Sequence, residues 1–490
     1  MNRLLLLHFF ILGMMSCQKQ NITKTIDTKK KPNVVYILTD QWRASATGYA
    51  GNKVVKTPVL DQLAKESINF SNAVSVTPVC TPHRAALFTG RYPTSTGMVV
   101  NDVYMPEEEL CMAEIFKAEG YTTAYYGKWH LDGHGRLTNV APERRQGFDY
   151  WKGLECSHAY NKMPYYDNED PNIKYWPKYS PFAITEDANK YLASHANDDN
   201  PFLLVLSIAT PHYPHGSAPK KFMEMYPQDS LLLPKNVIEK YKKRALKEMQ
   251  GYYAHISATD QAIGSVLDQL KSLGLDENTI IVFSADHGEM LGAHGVKPFV
   301  KQLPWDEAIK VPFLIKYPSI GKNAGTKIEA PINTPDILPS LLGLAGIAIP
   351  KVIEGEDLSD LIKSPKADFD RAALVMNACP FGANFRDSEY RAIRTKQYSY
   401  IKNLKGKNQL FDNVADPYQL NNLIDQPKVA VLQKELDKKL QAQMDRINDA
   451  FHPREYYLKK YNYKLDPRKH AINWWGFKEG RGVVQGPKVL

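Results

Sequence analysis

One short stretch carries more chemical information than any other part of the chain: Cys80-Thr81-Pro82-His83-Arg84, continuing through Ala-Ala-Leu-Phe-Thr-Gly to Arg91. Proline has no N–H to satisfy and a preset φ, so Pro82 suits the first turn of a helix that runs on through the following residues. Cys80 then stands at a helix N-terminus, where free backbone N–H groups and the helix dipole favour anions. Arg84, about one turn on, can brace both an anion and a nucleophile. Taken alone, the stretch is also compatible with a buried cysteine ahead of a proline-started helix. Four other places hold chemically capable side chains: Asp40-Gln41, Lys128 with His130, His212, and Asp286-His287.

These residues need elements to bring them together. Residues 33–40 (NVVYILTD) form a continuous apolar run ending in Asp40, the signature of a buried parallel strand. Similar runs occupy residues 121–130, 201–212, 279–288 and 311–318. Helical stretches lie between them. The clearest is 246–274, where Met249, Tyr253, Ile256, Ile263, Leu267 and Leu270 share one face and Gly274 stops it. Alternating strands and helices predict an α/β fold with a large, mostly parallel sheet. Each run except the last ends in one of the polar groups above. Ligands of open α/β sheets bind beyond the carboxyl ends of the strands, so these distant segments are expected to converge on one site. An isolated Asp-His-Gly after a strand would otherwise be a helix cap.

Beyond about residue 365 the pattern changes. Residues 391–403 and 408–413 are expected as short antiparallel strands about a turn at 405–407, followed by an amphipathic helix near 428–447. This gives a catalytic domain at 33–365 and a small antiparallel α+β subdomain at 366–490. No pattern is readable around Trp474 and Trp475.

The Cys80 stretch resembles the formylglycine signature of the sulfatases, C-x-P-x-R followed by a helix ending in T-G-R. The similarity to these members of the alkaline-phosphatase-like superfamily extends from Asn33 to about residue 425. The resemblance implies that a maturase oxidises Cys80 to formylglycine (3-oxoalanine). One hydroxyl of the hydrated aldehyde then attacks sulfur, and the other later helps expel sulfate. It also implies a metal site of Asp40, Gln41, Asp286, His287 and residue 80. Carboxylate and amide oxygens suit a hard cation such as calcium, or magnesium. Gln41 departs from the Asp commoner in the family. Gly127-Lys128-Trp129-His130 is similar to the family's G-K-W-H segment, which makes Lys128 a contact of the nucleophile and His130 the base that collapses the sulfated intermediate. By the same resemblance His212 is sulfate ligand and general acid, and Lys301, ahead of Trp305-Asp306-Glu307, grips sulfate. These groups suit sulfuryl transfer, which needs cations around three oxygens and a proton for the leaving oxygen.

The N-terminus concerns location. Arg3 precedes an apolar run at residues 4–15 and then Ser16-Cys17-Gln18, which predicts a secretory signal over residues 1–16. Its core is too short for a permanent membrane span. A cysteine at the cut resembles a bacterial lipoprotein site, so Cys17 is expected to carry lipid and anchor the chain to the outer membrane, on its periplasmic or surface face. Residues 17–32, polar and lysine-rich, then form a tether. Five cysteines so widely spaced exclude a disulfide framework, leaving Cys111, Cys156 and Cys379 as buried thiols. The net charge of +9 suits an acidic substrate without demanding one, and no basic block with interleaved aromatics points to nucleic acid.

The expectation is therefore an exported sulfatase acting on a sulfated polysaccharide or its oligosaccharides, with ulvan favoured. The alternatives are a phosphonate or phosphodiester hydrolase with the same signature, and a glycan-binding lipoprotein whose Cys80 is never oxidised. His134, Arg136, Arg144, Arg145, His158 and Trp305 are candidates for holding a sugar carboxylate or second sulfate. Trp151 or Trp305 could stack on a sugar ring or pack in the core.

Overall fold

The apolar runs assemble into a ten-stranded sheet. In this computed structural model residues 30–168, 170–382, 389–473 and 484–487 are described. The predicted signal at 1–16, Cys17, most of the tether, Trp474 and Trp475 lie outside the described residues. The strand Asn33–Asp40 pairs in parallel with Phe202–Pro211 on one side and Thr279–Ala285 on the other. Thr122–Lys128 pairs in parallel with Phe202–Pro211 and Tyr150–Leu154. Asn33–Asp40 and Phe202–Pro211 are buried along their whole length, which is why they read as continuous rather than alternating apolar runs. The four strands with chemically capable ends are consecutive neighbours in the sheet.

The run at 311–318 contributes the strand Phe313–Lys316, which pairs antiparallel with Thr279–Ala285. Its direction explains why Lys316, at its carboxyl end, pairs with Glu66 rather than joining the polar groups above, since that end points away from the other four. Gly127 makes one close approach possible. Its φ is +109°, and an added Cβ would lie 2.0 Å from the Ser207 carbonyl oxygen, so only glycine lets Lys128 follow on this path.

The long helix covers Glu239–Ser272 and buries Met249, Tyr253, Ile256, Ile263 and Leu270, with Leu267 partly buried against the core. It starts earlier than its apolar pattern because the first turns expose Glu239, Lys240, Lys242 and Lys243 and show no periodic face. At the C-terminal end, Ala373–Asn377, Tyr390–Arg394, Tyr398–Asn403 and Gln409–Asp412 form an antiparallel sheet. The stretch read as 391–403 is two strands. Thr395 N–H donates to Tyr398 O (2.9 Å) and Tyr398 N–H to Thr395 Oγ1 (2.8 Å), closing a turn without glycine or proline to mark it. The helix Ala430–Arg446 covers this sheet with Leu436, Leu440 and Met444. Met376 N–H donates to Val76 O (2.7 Å), which ties this sheet to the segment leading into Cys80.

Candidate active site

The helix carrying the signature spans Cys80–Thr89 and is buried throughout. It begins at Cys80 itself rather than at Pro82. The first-turn N–H groups of a helix have no intrahelical acceptor, so proline is tolerated at the third position as well as the first. Gly90, at φ +66°, closes the helix with its N–H on Ala86 O. Arg84, one turn in, has no solvent exposure. Its Nη2 lies 3.3 Å from Asp40 Oδ2 and 3.2 Å from Asp286 Oδ2. Its Nη1 donates to Lys128 O (3.0 Å) and Ser207 Oγ (2.8 Å). One guanidinium thus ties together the ends of three strands and the middle of a fourth. Breaking a buried charge cluster by removing one partner typically costs about 3–5 kcal/mol, so Arg84 holds the site together.

Cys80 Sγ is ringed by charge. Lys301 Nζ is 3.0 Å away, His287 Nε2 3.3 Å, Lys128 Nζ 3.6 Å and Asp40 Oδ1 3.9 Å. Lys301 Nζ also lies 3.1 Å from His287 Nε2 and 3.5 Å from His212 Nε2, so it bridges these three side chains. Lys128 Nζ contacts Asp40 Oδ2 at 2.5 Å. Burial works against ionisation of Asp40, yet Lys128, His212, Arg84 and Lys301 together hold it well below the usual carboxylate range. Burial, reinforced by Asp40, pushes the Cys80 thiol up to about 11 against the pull of Lys128 and Lys301.

Ligand atoms of Asp40, Cys80, Asp286 and His287, all buried, lie within 4.8 Å of one another, a grouping able to hold a metal ion. Gln41 adds to it. Its backbone N–H donates to Asp286 Oδ1 (3.0 Å), and its side-chain Nε2 donates to Glu289. Its Oε1 is buried and accepts no hydrogen bond among the described residues. Buried amide oxygens are nearly always paired, so a cation held beside Asp40 and Asp286 would give this one a partner. Glu289, which orients Gln41, was not singled out from the sequence.

His212 Nδ1 is 3.0 Å from Tyr213 O, so Nδ1–H donates there and Nε2 faces Lys301. Burial outweighs the pull of Asp40 and, with Lys301, His158 and Lys128, holds this imidazole well below its usual range. His130 sits to one side. Its Nε2 lies 2.8 Å from Asp102 Oδ1, and its carbonyl accepts from Thr81 Oγ1 (2.9 Å). Asp102 was also missed by sequence reasoning. Among the candidates for substrate contact, His158 stacks on His212 with ring centroids 4.6 Å apart. Arg144 Nε pairs with Asp132 Oδ1 at 2.5 Å, as does His134 at 3.4 Å. Arg136 Nε donates to Cys156 O (3.0 Å). Trp151 is a core residue, stacked on Tyr125 at 5.1 Å with Arg145 over its ring. Trp305 stacks on His294 at 4.4 Å. Cys111, Cys156 and Cys379 are buried free thiols, as Cys80 is.

A buried cysteine at a helix head, beside a carboxylate–imidazole cluster at the end of such a sheet, defines a hydrolase of the alkaline-phosphatase-like class. The family model described as Sulfatase matches residues 32–347, and that of the N-sulphoglucosamine sulphohydrolase C-terminal region matches 292–446. The chain belongs to the sulfatase family and is a sulfuric ester hydrolase. It is 62% identical to an "Ulvan-active sulfatase" of Formosa agariphila, over 97% of this chain and 93% of that protein. It is 31% identical to an "Endo-4-O-sulfatase" of Bacteroides thetaiotaomicron, over 86% of this chain and 93% of that one. Among solved structures, yidJ of Bacteroides fragilis superposes with a TM-score of 0.78 at 28% identity, covering 88% of this chain and 98% of its own. The phosphonate monoester hydrolase of Agrobacterium radiobacter shares the fold, with a TM-score of 0.71 at 20% identity over 85% of this chain and 96% of its own.

Proposed function

We propose that this sulfatase is exported and removes sulfate esters from a sulfated polysaccharide or its oligosaccharides, ulvan foremost. Its nucleophile is a formylglycine made from Cys80, and the adjoining cluster would hold calcium. The observation that carries the reading is the setting of Cys80, at the head of a buried helix and within 3.6 Å of two lysine amines. The 62% identity to an ulvan-active sulfatase supports the choice of substrate.

A maturase, drawing on an external two-electron oxidant, converts the Cβ–SH group of Cys80 to the aldehyde with the sulfur leaving as sulfide, and water adds to give two hydroxyls on one carbon. One hydroxyl gives its proton to the Asp40 carboxylate beside it as its oxygen attacks sulfur, and the bond from sulfur to the sugar oxygen breaks with its electron pair on that oxygen. His212 supplies the proton that the departing oxygen needs. Lys301 and Lys128 hold the charge that builds on the sulfate oxygens. The second hydroxyl then loses its proton to His130, the C=O bond re-forms, and sulfate leaves with the electron pair of the C–O bond. Arg84 keeps Asp40 and Asp286 in place throughout. Asp40, Gln41, Asp286, His287 and residue 80 would hold the cation, and when bound it supplies positive charge beside the nucleophile and the sulfate oxygens.

Prolonged chelation is expected to remove activity, and added calcium to restore it more fully than magnesium. Asp40→Ala and Asp286→Ala are expected to mimic the chelated enzyme. Activity indifferent to chelators and to both substitutions would show that no metal works at this site.

Among the described residues no helix is long and apolar enough to cross a membrane. Lipid on Cys17 is the proposed anchor, holding the enzyme at the outer membrane through the 17–32 tether. Cys17→Ser is then expected to move the protein from the membrane to the soluble fraction with kcat/KM unchanged. Wild-type protein recovered wholly in the soluble fraction would end the anchoring proposal. Turnover of sulfate, phosphate and phosphonate esters at equal concentration separates this reading from a phosphonate or phosphodiester hydrolase.

A further inference from the structure

We propose that Asp102 is the positioning residue of His130. By accepting a hydrogen bond from Nε2–H, its carboxylate fixes the tautomer in which Nδ1 is the basic nitrogen for the second step. This inference rests on the formylglycine reading above.

Three sets of contacts carry it. The first is the pair itself, with His130 Nε2 2.8 Å from Asp102 Oδ1 and side-chain exposures of only 4% and 13%. The second is a bracket formed by Thr81, the residue after the nucleophile. Its Oγ1–H donates to His130 O (2.9 Å), and the same oxygen accepts from Asp102 N–H (3.3 Å). Thr81 N–H in turn donates to Asn101 Oδ1 (2.9 Å). The backbones of the histidine and the aspartate are therefore joined through the hydroxyl of the residue next to the nucleophile. The third is the backbone. Asp102 has φ +69° and His130 φ +61°, left-handed conformations uncommon for side-chain-bearing residues though readier for Asp and His than for most. Glu155 braces this stretch. Its carboxylate accepts from the N–H groups of Leu131 (3.0 Å), Asp132 (3.0 Å) and Gly133 (2.8 Å), immediately after His130.

The surrounding charges set the starting protonation states. Burial, with Lys128, Arg84 and Lys301, holds His130 well below its usual range, so the imidazole begins unprotonated. Burial pushes Asp102 up to about 7, against the pull of Lys128, Lys301 and Arg136. In the second step the O–H bond of the remaining hydroxyl breaks and its proton goes to Nδ1. The electron pair left on oxygen forms C=O, and the C–O bond to sulfate breaks with its pair leaving on sulfate. Asp102 takes no proton in this step. It orients the ring and stabilises the imidazolium.

Asp102→Asn is the direct test, because an asparagine amide can donate to Nε2 and thereby place the proton on Nδ1. With an aryl sulfate, and rates expressed per aldehyde-containing enzyme, the first-turnover release of phenol is expected to stay within a few-fold of wild type. Steady-state turnover is expected to fall about a hundred-fold, within the range usual for loss of a general base. Sulfated enzyme should then accumulate and be visible by intact mass. In a His130→Ala background the same change should cost nothing further, which also controls for a variant that matures poorly. First-turnover and steady-state rates falling together, or neither changing, would overturn the assignment. Active wild type with an unoxidised Cys80 would instead sink the formylglycine reading on which it rests.

Discussion

Cys80→Ala is expected to abolish turnover of every sulfate ester while leaving the protein folded. Alanine is a good residue for the first turn of a helix, and the helix termini keep their bonds. Arg84 still pairs with Asp40 and Asp286, and Lys128 with Asp40. What disappears is the nucleophile, and no neighbouring side chain replaces it. Removing the serine nucleophile of a serine protease costs about six orders of magnitude in kcat, and a loss of that size is expected here. Rates on an aryl sulfate, with a melting curve to confirm the fold, check the prediction. Full activity in the alanine variant would remove Cys80 from the chemistry.

His212→Ala is expected to be selective. Expelling a sugar alkoxide without a proton is costly, whereas a nitrophenolate leaves readily as the anion. General-acid help is worth about two to four orders of magnitude, so sugar sulfates should lose that much more than an activated aryl sulfate. In the free enzyme His212 is held neutral by burial and by Lys301, His158 and Lys128. A sulfate ester arriving against Nε2 brings negative charge, which favours the imidazolium and equips it to donate. A residue that only binds sulfate would damage both substrates alike, since both present the same oxygens. Measured kcat/KM for the two substrate classes in wild type and variant decides between these roles. Equal losses would leave His212 as a ligand and not an acid.

Much of this site was legible because it stands at the ends of apolar runs. Asp40, Lys128, His212 and Asp286 each follow or end a strand, and the rule that ligands gather beyond the carboxyl ends of an α/β sheet places them together. The strand at Phe313–Lys316 had no such ending, and its antiparallel pairing gives the reason. Lys301 was found only through family resemblance, because it stands in a loop where no period marks it. The partners that orient the chemistry were not legible at all. Gln41 meets Glu289 across 248 residues of sequence, and His130 meets Asp102 across 28. A hydrogen bond between two loops leaves no trace in the composition or spacing of either. The turn at residues 395–397 was missed for a related reason, since its bonds come from a threonine rather than from glycine or proline.

The central claim is that this enzyme works through an aldehyde at position 80. The most direct measurement is the mass of the peptide containing residue 80, taken from a preparation whose sulfate release has been measured in the same tube. The account predicts that this peptide carries the aldehyde, that hydrazide labels it, and that the labelled fraction scales with specific activity across preparations made with and without a maturase. Full sulfatase activity in a preparation whose residue 80 is entirely unmodified cysteine would contradict it.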